Sequence, residues 1–485
     1  MNQIEPSDKA PQERKVFRGV IKLYPDISHT NYFCSLCHYF VMTFIFVSVE
    51  SLQPLLFNQR YGIHPKDAGM QNGYMLLIDI ATKCIFAPIV GILSDKVGRV
   101  PVLQMGIILT ALSISSMGFA EDIYPQYCIS RIQYAIGAIT LATIPFLGDY
   151  VLDSTKGKAS AINVILAAFG ALFSATVITK LLTQSFSLRT TYIVVGCSFL
   201  CLGLLYTLGL KKGLHFKKER KTYKNAAPLR EDLIERSICP YQNIKQIQDE
   251  DFDYIDYEKE VRALNQIKQE SSCGAAMKIA LLAGKNIWIF QGYVTNFLGR
   301  GDSILLTLSL QIWSQQFVED NLNDDDAYKE ASIQAQTLSG VTYAVIMVGA
   351  IFYGILFEKV SKNKLLFIMF SLTMIGCFLM NFAPNPKSPY TFLIMAILGS
   401  GMSGLYTGAL YFVNKYAYSE FRGYISGLAN VFSVLGILIC SFVGGVLQDH
   451  WSKIAPFNLF GFMSLLGLIL VIWSYYALYQ SRSVK

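Results

Sequence analysis

The nine residues GILSDKVGR (Gly91–Arg99) join two long apolar segments, and GILFEKVSK (Gly354–Lys362) occupies a comparable place in the second half of the chain. In each copy an acidic residue is followed directly by Lys, and another basic residue comes three positions later. Chance placement would rarely produce this agreement. The repeat therefore predicts two fused halves with the same internal order of elements.

The segments on either side of both copies are apolar enough to be buried in lipid. Of the 485 residues, 53% are hydrophobic and 15% are charged, and the mean hydropathy is +0.38. A hydrocarbon core about 30 Å thick needs about 20 apolar residues in a helix. Segments of that length are predicted at 32–57, 70–94, 101–120, 125–148, 159–182 and 189–210, then at 287–316, 334–357, 364–383, 389–414, 423–447 and 456–479. The prediction is an all-α polytopic membrane protein with twelve transmembrane helices in two bundles of six.

The polar stretches divide the chain into five parts. These are a tail over 1–31, a six-helix bundle over 32–210, a linker over 211–285 with a short interfacial helix near its end, a second bundle over 286–479, and a tail over 480–485. Lys and Arg collect in the tails, the linker and every second connector, and the longest loop on the other side, Val318 to Glu330, is acidic. Because basic loops stay in the cytoplasm, both termini are predicted to be cytoplasmic.

Several function classes find no support in the sequence. The net charge of +7 comes without an aromatic and basic patch outside the apolar segments, which argues against nucleic-acid binding. There is no Gly-x-x-x-x-Gly-Lys loop for ATP, and the five histidines are scattered, so neither a metal site, a cofactor nor an enzyme is predicted. The partners expected for this monomeric chain are the lipid bilayer, a small-molecule solute and protons.

The first connector is similar to a signature of the major facilitator superfamily. In that family a Gly is followed by an Asp, a basic residue, a second Gly and a further basic residue at these spacings; the matching residues are Gly91, Asp95, Lys96, Gly98 and Arg99. The resemblance implies two bundles related by pseudo-twofold symmetry that expose a central site to each side in turn. It also implies a cytoplasmic gate at this connector, with Asp149 and, in the second copy, Gly354, Glu358, Lys359 and Lys362 as further members. The alternative is that Lys96 and Arg99 only fix topology.

Six ionisable residues fall inside predicted spans, where each costs several kcal/mol unless it is paired or faces water. They are Glu50 in the first span, Asp79 and Lys83 in the second, Arg131 in the fourth, and Arg300 and Asp302 in the seventh. Asp79 and Lys83 are four residues apart and share a helix face, so they either neutralise each other or take part in transport. Arg300 and Asp302 are two apart and must find separate partners.

The residues Arg131, Gln133 and Gly137 resemble the fourth-span motif that accompanies proton transfer in this superfamily. Together with the intramembrane charges, the motif predicts a secondary transporter for a small polar or charged solute that is coupled to protons. A transporter-like fold that serves as a receptor or structural subunit is the alternative. Glycines at 299 and 301 in the seventh span, and at 399, 401, 404 and 408 in the tenth, predict either interrupted helices or close helix packing.

Overall fold

The computed structural model describes residues 16–64, 67–142, 144, 146–152, 155–179, 182, 185–211, 264, 273–322, 325–417 and 421–483. Most of the predicted linker and the first half of the N-terminal tail lie outside these residues. Within the described residues, twelve long helical spans cross the molecule, which confirms the predicted fold class. Span 1 begins and span 12 ends at one side, which we name the terminal face; the other side is the opposite face.

The N-terminal half contains spans 1 to 6. Spans 1, 2 and 3 are the helices His29–Tyr61, Ala68–Val97 and Arg99–Met117. Span 4 is the π-helical turn Ile123–Tyr127 with the helix Cys128–Ala142, span 5 is the helix Lys156–Phe173 with the π-helical turn Ser174–Thr179, and span 6 is Leu188–Leu208. A short helix, Phe146–Tyr150, lies between spans 4 and 5.

The C-terminal half repeats the arrangement in spans 7 to 12. Span 7 is made of Ile287–Ile304, the π-helical turn Leu305–Ser309 and Leu310–Leu322. Spans 8, 9 and 10 are Asp325–Lys359, Lys362–Leu379 and Pro389–Tyr416. Span 11 is Arg422–Leu438, Ile439–Val443 and Gly444–His450, and span 12 is Ala455–Ser483. A helix over Cys273–Ala283 precedes span 7 and packs against span 11.

Nine helices among the described residues are long and apolar enough to cross a membrane by composition alone. Spans 2, 4 and 7 are not among them. These three spans carry five of the six intramembrane charges found in the sequence. Ionic groups at these positions must be shielded from lipid by neighbouring helices.

Helix continuity differs from the sequence expectation at two places. Span 10 is a single unbroken helix. Gly299 and Gly301 lie inside the helix Ile287–Ile304, and Gly301 is four residues before the π-helical turn of span 7, so these glycines do not themselves break a helix and instead pack closely against neighbouring spans. A Cβ on Gly401, for example, would lie 2.5 Å from the Thr373 nitrogen. The acidic loop predicted from Val318 to Glu330 is also largely helical, because span 7 runs to Leu322 and span 8 begins at Asp325.

A small β-hairpin interrupts the otherwise helical fold at the terminal face. Strands β1 (Val16–Phe17) and β2 (Ile21–Lys22) pair in antiparallel fashion, although the sequence predicted only a polar tail here. The Lys22 nitrogen donates to the Thr155 hydroxyl over 3.1 Å, and the Leu152 nitrogen donates to the Lys22 carbonyl over 3.0 Å. The hairpin is therefore tied to the connector between spans 4 and 5.

Candidate functional site

Span 1 and span 4 face each other through an ion pair in the interior of the N-terminal bundle. The guanidinium of Arg131 donates from Nη2 to Oε1 of Glu50. Both side chains are 0% exposed. Each buried charge is stabilised by the opposite charge of its partner. Either charge alone would bear the full free-energy cost of desolvation.

Span 2 adds a second acid and a second base to this pair. Nε of Arg131 lies 3.9 Å from Oδ1 of Asp79, whose other carboxylate oxygen accepts a hydrogen bond from Lys83. The predicted pairing of Asp79 with Lys83 is thus present, but Arg131 stands within ionic reach of the same carboxylate. Glu50, Arg131, Asp79 and Lys83 together form what we call the buried quartet, with two negative and two positive side chains.

The buried quartet does not use all of its hydrogen-bonding capacity. Within the described residues, Oε2 of Glu50, Oδ1 of Asp79, and Nε and Nη1 of Arg131 are buried and have no hydrogen-bond partner. Buried polar atoms are usually satisfied, so unused atoms of this kind call for a functional explanation. A carboxylate oxygen without a donor is a place where a proton can be added without first breaking a hydrogen bond.

Aromatic and amide side chains surround the buried quartet. The Tyr134 ring lies 5.1 Å from the Arg131 guanidinium carbon and 5.6 Å from the Lys83 nitrogen, close enough for cation–π attraction. Tyr127 donates to Gln53 over 2.9 Å, and Gln53 donates to Asn72 over 2.7 Å. These bonds join spans 4, 1 and 2, so the helices that carry the charges are also held in register by neutral groups.

One member of the buried quartet reaches towards the boundary between the two bundles. The Lys83 side chain is 16% exposed, and its nitrogen lies 5.8 Å from the centre of the Phe46 ring. Phe46 packs against an apolar cluster that contains Leu76 of span 2 and Leu308 of span 7. The quartet therefore extends from the sealed Glu50–Arg131 pair to a lysine near the contact between the halves.

The other predicted pathway residues do not join this cluster in the described contacts. Gln133 is partly buried and, two residues after Arg131, points to a different side of span 4. Arg300 and Asp302 lie on the span 7 helix, but their side chains are outside the described part of the structure. Their separate partners remain a prediction.

The predicted gate is described only in part. The side chains of Asp95, Lys96, Asp149 and Glu358 lie outside the described residues, whereas the backbone of Gly91 is helical within span 2. Gly98 has φ +109° and ψ 154°, a backbone conformation that an L side chain rarely adopts, which explains the glycine at this point of the connector. Lys359 is exposed and Lys362 is partly buried at the start of span 9.

The two bundles touch each other at both faces. At the terminal face, Asn414 of span 10 donates to the Ser160 hydroxyl of span 5 over 3.4 Å. A Cβ on Gly354 of span 8 would lie 2.8 Å from the Ala161 Cβ, so spans 5 and 8 are in close contact there. At the opposite face, Ala68 and Leu76 of span 2 pack with residues of span 7. The two bundles are therefore in contact on both sides of the centre.

The C-terminal bundle also contains buried side chains that are polar but uncharged. Gln311 and Ser314 of span 7 and Gln336 of span 8 are almost fully buried, and polar atoms of all three have no hydrogen-bond partner within the described residues. Spans 7 and 8 pack directly on each other. These residues and Gln53 were not predicted from the sequence, because neutral polar side chains stand out far less than charges against an apolar background.

Comparison with known proteins identifies the family of this chain. A sequence model described as Major Facilitator Superfamily matches residues 31–298 and 294–484. The magnetosome protein MamH of Paramagnetospirillum magneticum is 22% identical over 427 residues, which span 86% of each chain. The facilitated glucose transporter member 2 of Bos taurus is 33% identical over 111 residues, or 21% of each chain.

Solved structures with a similar fold include two of the xylose transporter XylE. The proton:xylose symporter XylE bound to 6-bromo-6-deoxy-D-glucose has a TM-score of 0.61 at 13% identity, covering 91% of this chain and 94% of that one. A partially occluded inward-open conformation of XylE from E. coli has a TM-score of 0.62 at 12% identity, covering 91% and 96%. At these identities the similarity establishes the fold.

Proposed function

Because the chain belongs to the major facilitator superfamily, whose members are integral membrane transporters and not enzymes, we propose that it moves a small polar solute by alternating access coupled to protons. The observation that carries the proposal is the buried Glu50–Arg131 pair with Asp79 within reach of the same guanidinium. The proposed pathway comprises Glu50, Asp79, Lys83, Arg131, Gln133, Arg300 and Asp302.

Proton loading has a simple physical form in this arrangement. A proton that adds to the unpartnered Oε2 of Glu50 removes the negative charge that holds Arg131. Asp79, whose Oδ1 is 3.9 Å from Nε of Arg131, then becomes the stronger partner of the guanidinium. The side chain of Arg131 thus shifts its attraction from span 1 to span 2, and loss of the proton reverses the shift.

The charge balance also bears on the solute. The buried quartet holds two acids and two bases, so it offers no excess charge to a charged solute. The unpartnered polar atoms of Gln311, Ser314 and Gln336 can donate and accept hydrogen bonds. This combination favours a small neutral solute rich in hydroxyl or amide groups within the polar or charged class predicted from the sequence.

The orientation follows from the distribution of basic residues. We place the terminal face in the cytoplasm, because Lys and Arg concentrate in the connectors on that side. The gate proposed there comprises Gly91, Asp95, Lys96, Gly98, Arg99, Asp149, Gly354, Glu358, Lys359 and Lys362. The contact between Ser160 and Asn414 lies on the same side and would open with it.

The test separates coupling from movement. Purified protein is screened by thermal shift against sugars, polyols, amino acids and organic acids, since a ligand of the folded state raises the unfolding temperature. With the solute so identified, Glu50→Gln in liposomes should lose accumulation driven by a pH gradient and keep exchange of labelled for unlabelled solute. Glu330→Gln, an exposed acid paired with Lys387, is the matched control and should accumulate solute as the wild type does.

Two results would contradict the proposal. Accumulation by Glu50→Gln equal to that of the wild type would show that this carboxylate does not couple protons to transport. If wild-type liposomes containing only this protein gave neither accumulation nor exchange of any solute that shifts the unfolding temperature, a receptor or structural role would be favoured instead.

A further inference from the structure

A carboxylate of the C-terminal bundle lies against the start of span 2 at the opposite face. Oδ1 of Asp449, near the end of span 11, accepts a hydrogen bond from the Gly69 nitrogen over 3.0 Å. Oδ2 accepts another from the Met70 nitrogen over 2.6 Å. One side chain of one bundle is thus bonded to two consecutive backbone groups of the other.

These two backbone N–H groups lie in the first turn of span 2, where a helix needs acceptors from outside the helix. Span 2 begins at Ala68, so Gly69 and Met70 are its second and third residues, whose N–H groups have no partner inside the helix. The residue before the helix usually supplies the cap. Here that residue, Asp67, has φ −105° and ψ −1° and makes no capping bond, so Asp449 takes over the task from the other bundle.

Small residues allow the backbones to come close enough for this contact. A Cβ on Gly69 would lie 2.5 Å from Oδ1 of Asp449 and 2.6 Å from the Gly445 carbonyl oxygen. A Cβ on Gly445 would lie 2.3 Å from the Gly69 carbonyl oxygen. The cap therefore forms only when spans 2 and 11 are in direct contact, and it is lost when they separate.

Asp449 is also accessible from the solvent at this face. It lines a depression of about 470 Å³ together with Trp313, Trp451 and Lys453. Water can therefore replace the two backbone groups as partners of the carboxylate when the helices part. The contact is reversible in chemical terms, because both sides of the broken hydrogen bonds can be solvated.

We propose that Asp449 is the latch of the opposite-face gate, capping span 2 while that gate is closed and releasing it when the gate opens. The inference rests on the proposed alternating access and adds the group that holds one of its two states. A carboxylate also complements the positive end of the helix dipole, which strengthens the closed state beyond the two hydrogen bonds.

The test measures how far the two bundles stand apart at this face. Spin labels are attached through p-acetylphenylalanine at Phe186 and Phe382, exposed residues of the N- and C-terminal bundles at the opposite face, and their separation is measured by pulsed electron resonance. Asp449→Asn removes the charge and one acceptor oxygen at nearly constant shape. We expect the ratio of long to short separations to rise about tenfold, the effect of losing one charge-assisted hydrogen bond.

Two further variants serve as an independent test and as a control. Gly69→Ala introduces the clash with Asp449 and Gly445 and should shift the distribution in the same direction by an independent route. Asp122→Asn, an exposed acid at the same face, should leave it unchanged. An unchanged distribution in both Asp449→Asn and Gly69→Ala would overturn the latch.

A second label pair distinguishes failure of the latch from failure of alternating access. Labels at Val20 and Ser361, both exposed at the terminal face, should move closer together when the opposite face opens. Opening at the opposite face with no change at this pair would support the latch and contradict the rocking of the bundles about the centre.

Discussion

Replacing Arg131 by Met removes the cation that neutralises two buried acids. Arg131 is fully buried, bonds to the fully buried Glu50, and lies 3.9 Å from Asp79. Removing one partner of a buried ion pair costs about 3–5 kcal/mol, because the remaining charge stays in a medium that cannot solvate it. Lys83 remains as a partner of Asp79, whereas Glu50 loses the cation that it bonds. We therefore expect a loss near the upper end of that range.

The stability cost of Arg131→Met can be compared with that of Glu50→Gln, which changes the other partner of the ion pair. The amide introduced by this change keeps an oxygen that can accept from Arg131, and Asp79 remains as a counter-charge, so the variant should cost less than Arg131→Met, below about 3 kcal/mol. The double variant Glu50→Gln with Arg131→Met leaves neither charge of the pair unpaired. It should be more stable than the sum of the single effects predicts, by about 1–3 kcal/mol.

Reversible unfolding in mixed detergent micelles, followed by circular dichroism, measures all three free energies. Lys387→Met serves as the control, since Lys387 and its partner Glu330 are 63% and 59% exposed and such surface pairs contribute about 0–1 kcal/mol. Strict additivity of the two single variants, or a loss below about 1 kcal/mol for Arg131→Met, would refute the assignment of Glu50 and Arg131 as a mutually dependent buried pair.

Two further predictions concern packing and the hairpin. Gly436→Ala should destabilise the protein by about 2 kcal/mol or more, because the new Cβ would lie 1.7 Å from the Phe297 carbonyl oxygen. Gly427→Ala in the same span meets nothing within 4 Å and should be neutral or stabilising by about 0.5–1 kcal/mol. The same unfolding assay distinguishes the two variants, and equal effects would contradict the packing described. Thr155→Val removes the hydroxyl that accepts a hydrogen bond from the Lys22 nitrogen. Amide hydrogen exchange at Lys22 should therefore accelerate about tenfold, while exchange in the spans stays unchanged. Unaltered exchange at Lys22 would show that this bond does not hold the hairpin.

The twelve spans could be predicted from the sequence because lipid imposes a minimum apolar length on every crossing. Span 3 was expected at 101–120 and is Arg99–Met117, and span 6 was expected at 189–210 and is Leu188–Leu208. The predicted end of span 4 is wrong, since its helix ends at Ala142 and not at 148. The apolar run continues past that point into the short helix Phe146–Tyr150, so hydropathy alone could not show where the span ends.

The intramembrane charges were visible in the sequence, but most of their pairing was not. A spacing of four residues identified Asp79 and Lys83 as neighbours, because it is a local property of one helix. The bond between Glu50 and Arg131 joins residues 81 positions apart on different spans, and helix spacing carries no information about that distance. The same limit hid the bond from Asp449 to Met70, which are separated by 379 positions.

The hairpin at the terminal face escaped prediction for another reason. Its strands are two residues long, too short to show an alternating pattern. Ile21 and Leu23 are nevertheless almost fully buried, and the chain there bonds to the connector that follows span 4. Contact with a distant part of the chain, and not local preference, determines the structure of this segment.

Proton movement during solute transport tests the role of Glu50 most directly. For symport of solute and protons, the direction that we propose, liposomes that contain a pH-sensitive dye and the wild-type protein, with equal pH on both sides at the start, should become acidic inside when the transported solute is added outside. Liposomes with Glu50→Gln that are preloaded with unlabelled solute should take up labelled solute by exchange with no acidification. Acidification of equal size and rate with the variant would mean that protons pass by another route and that the Glu50–Arg131 pair does not couple them to the solute.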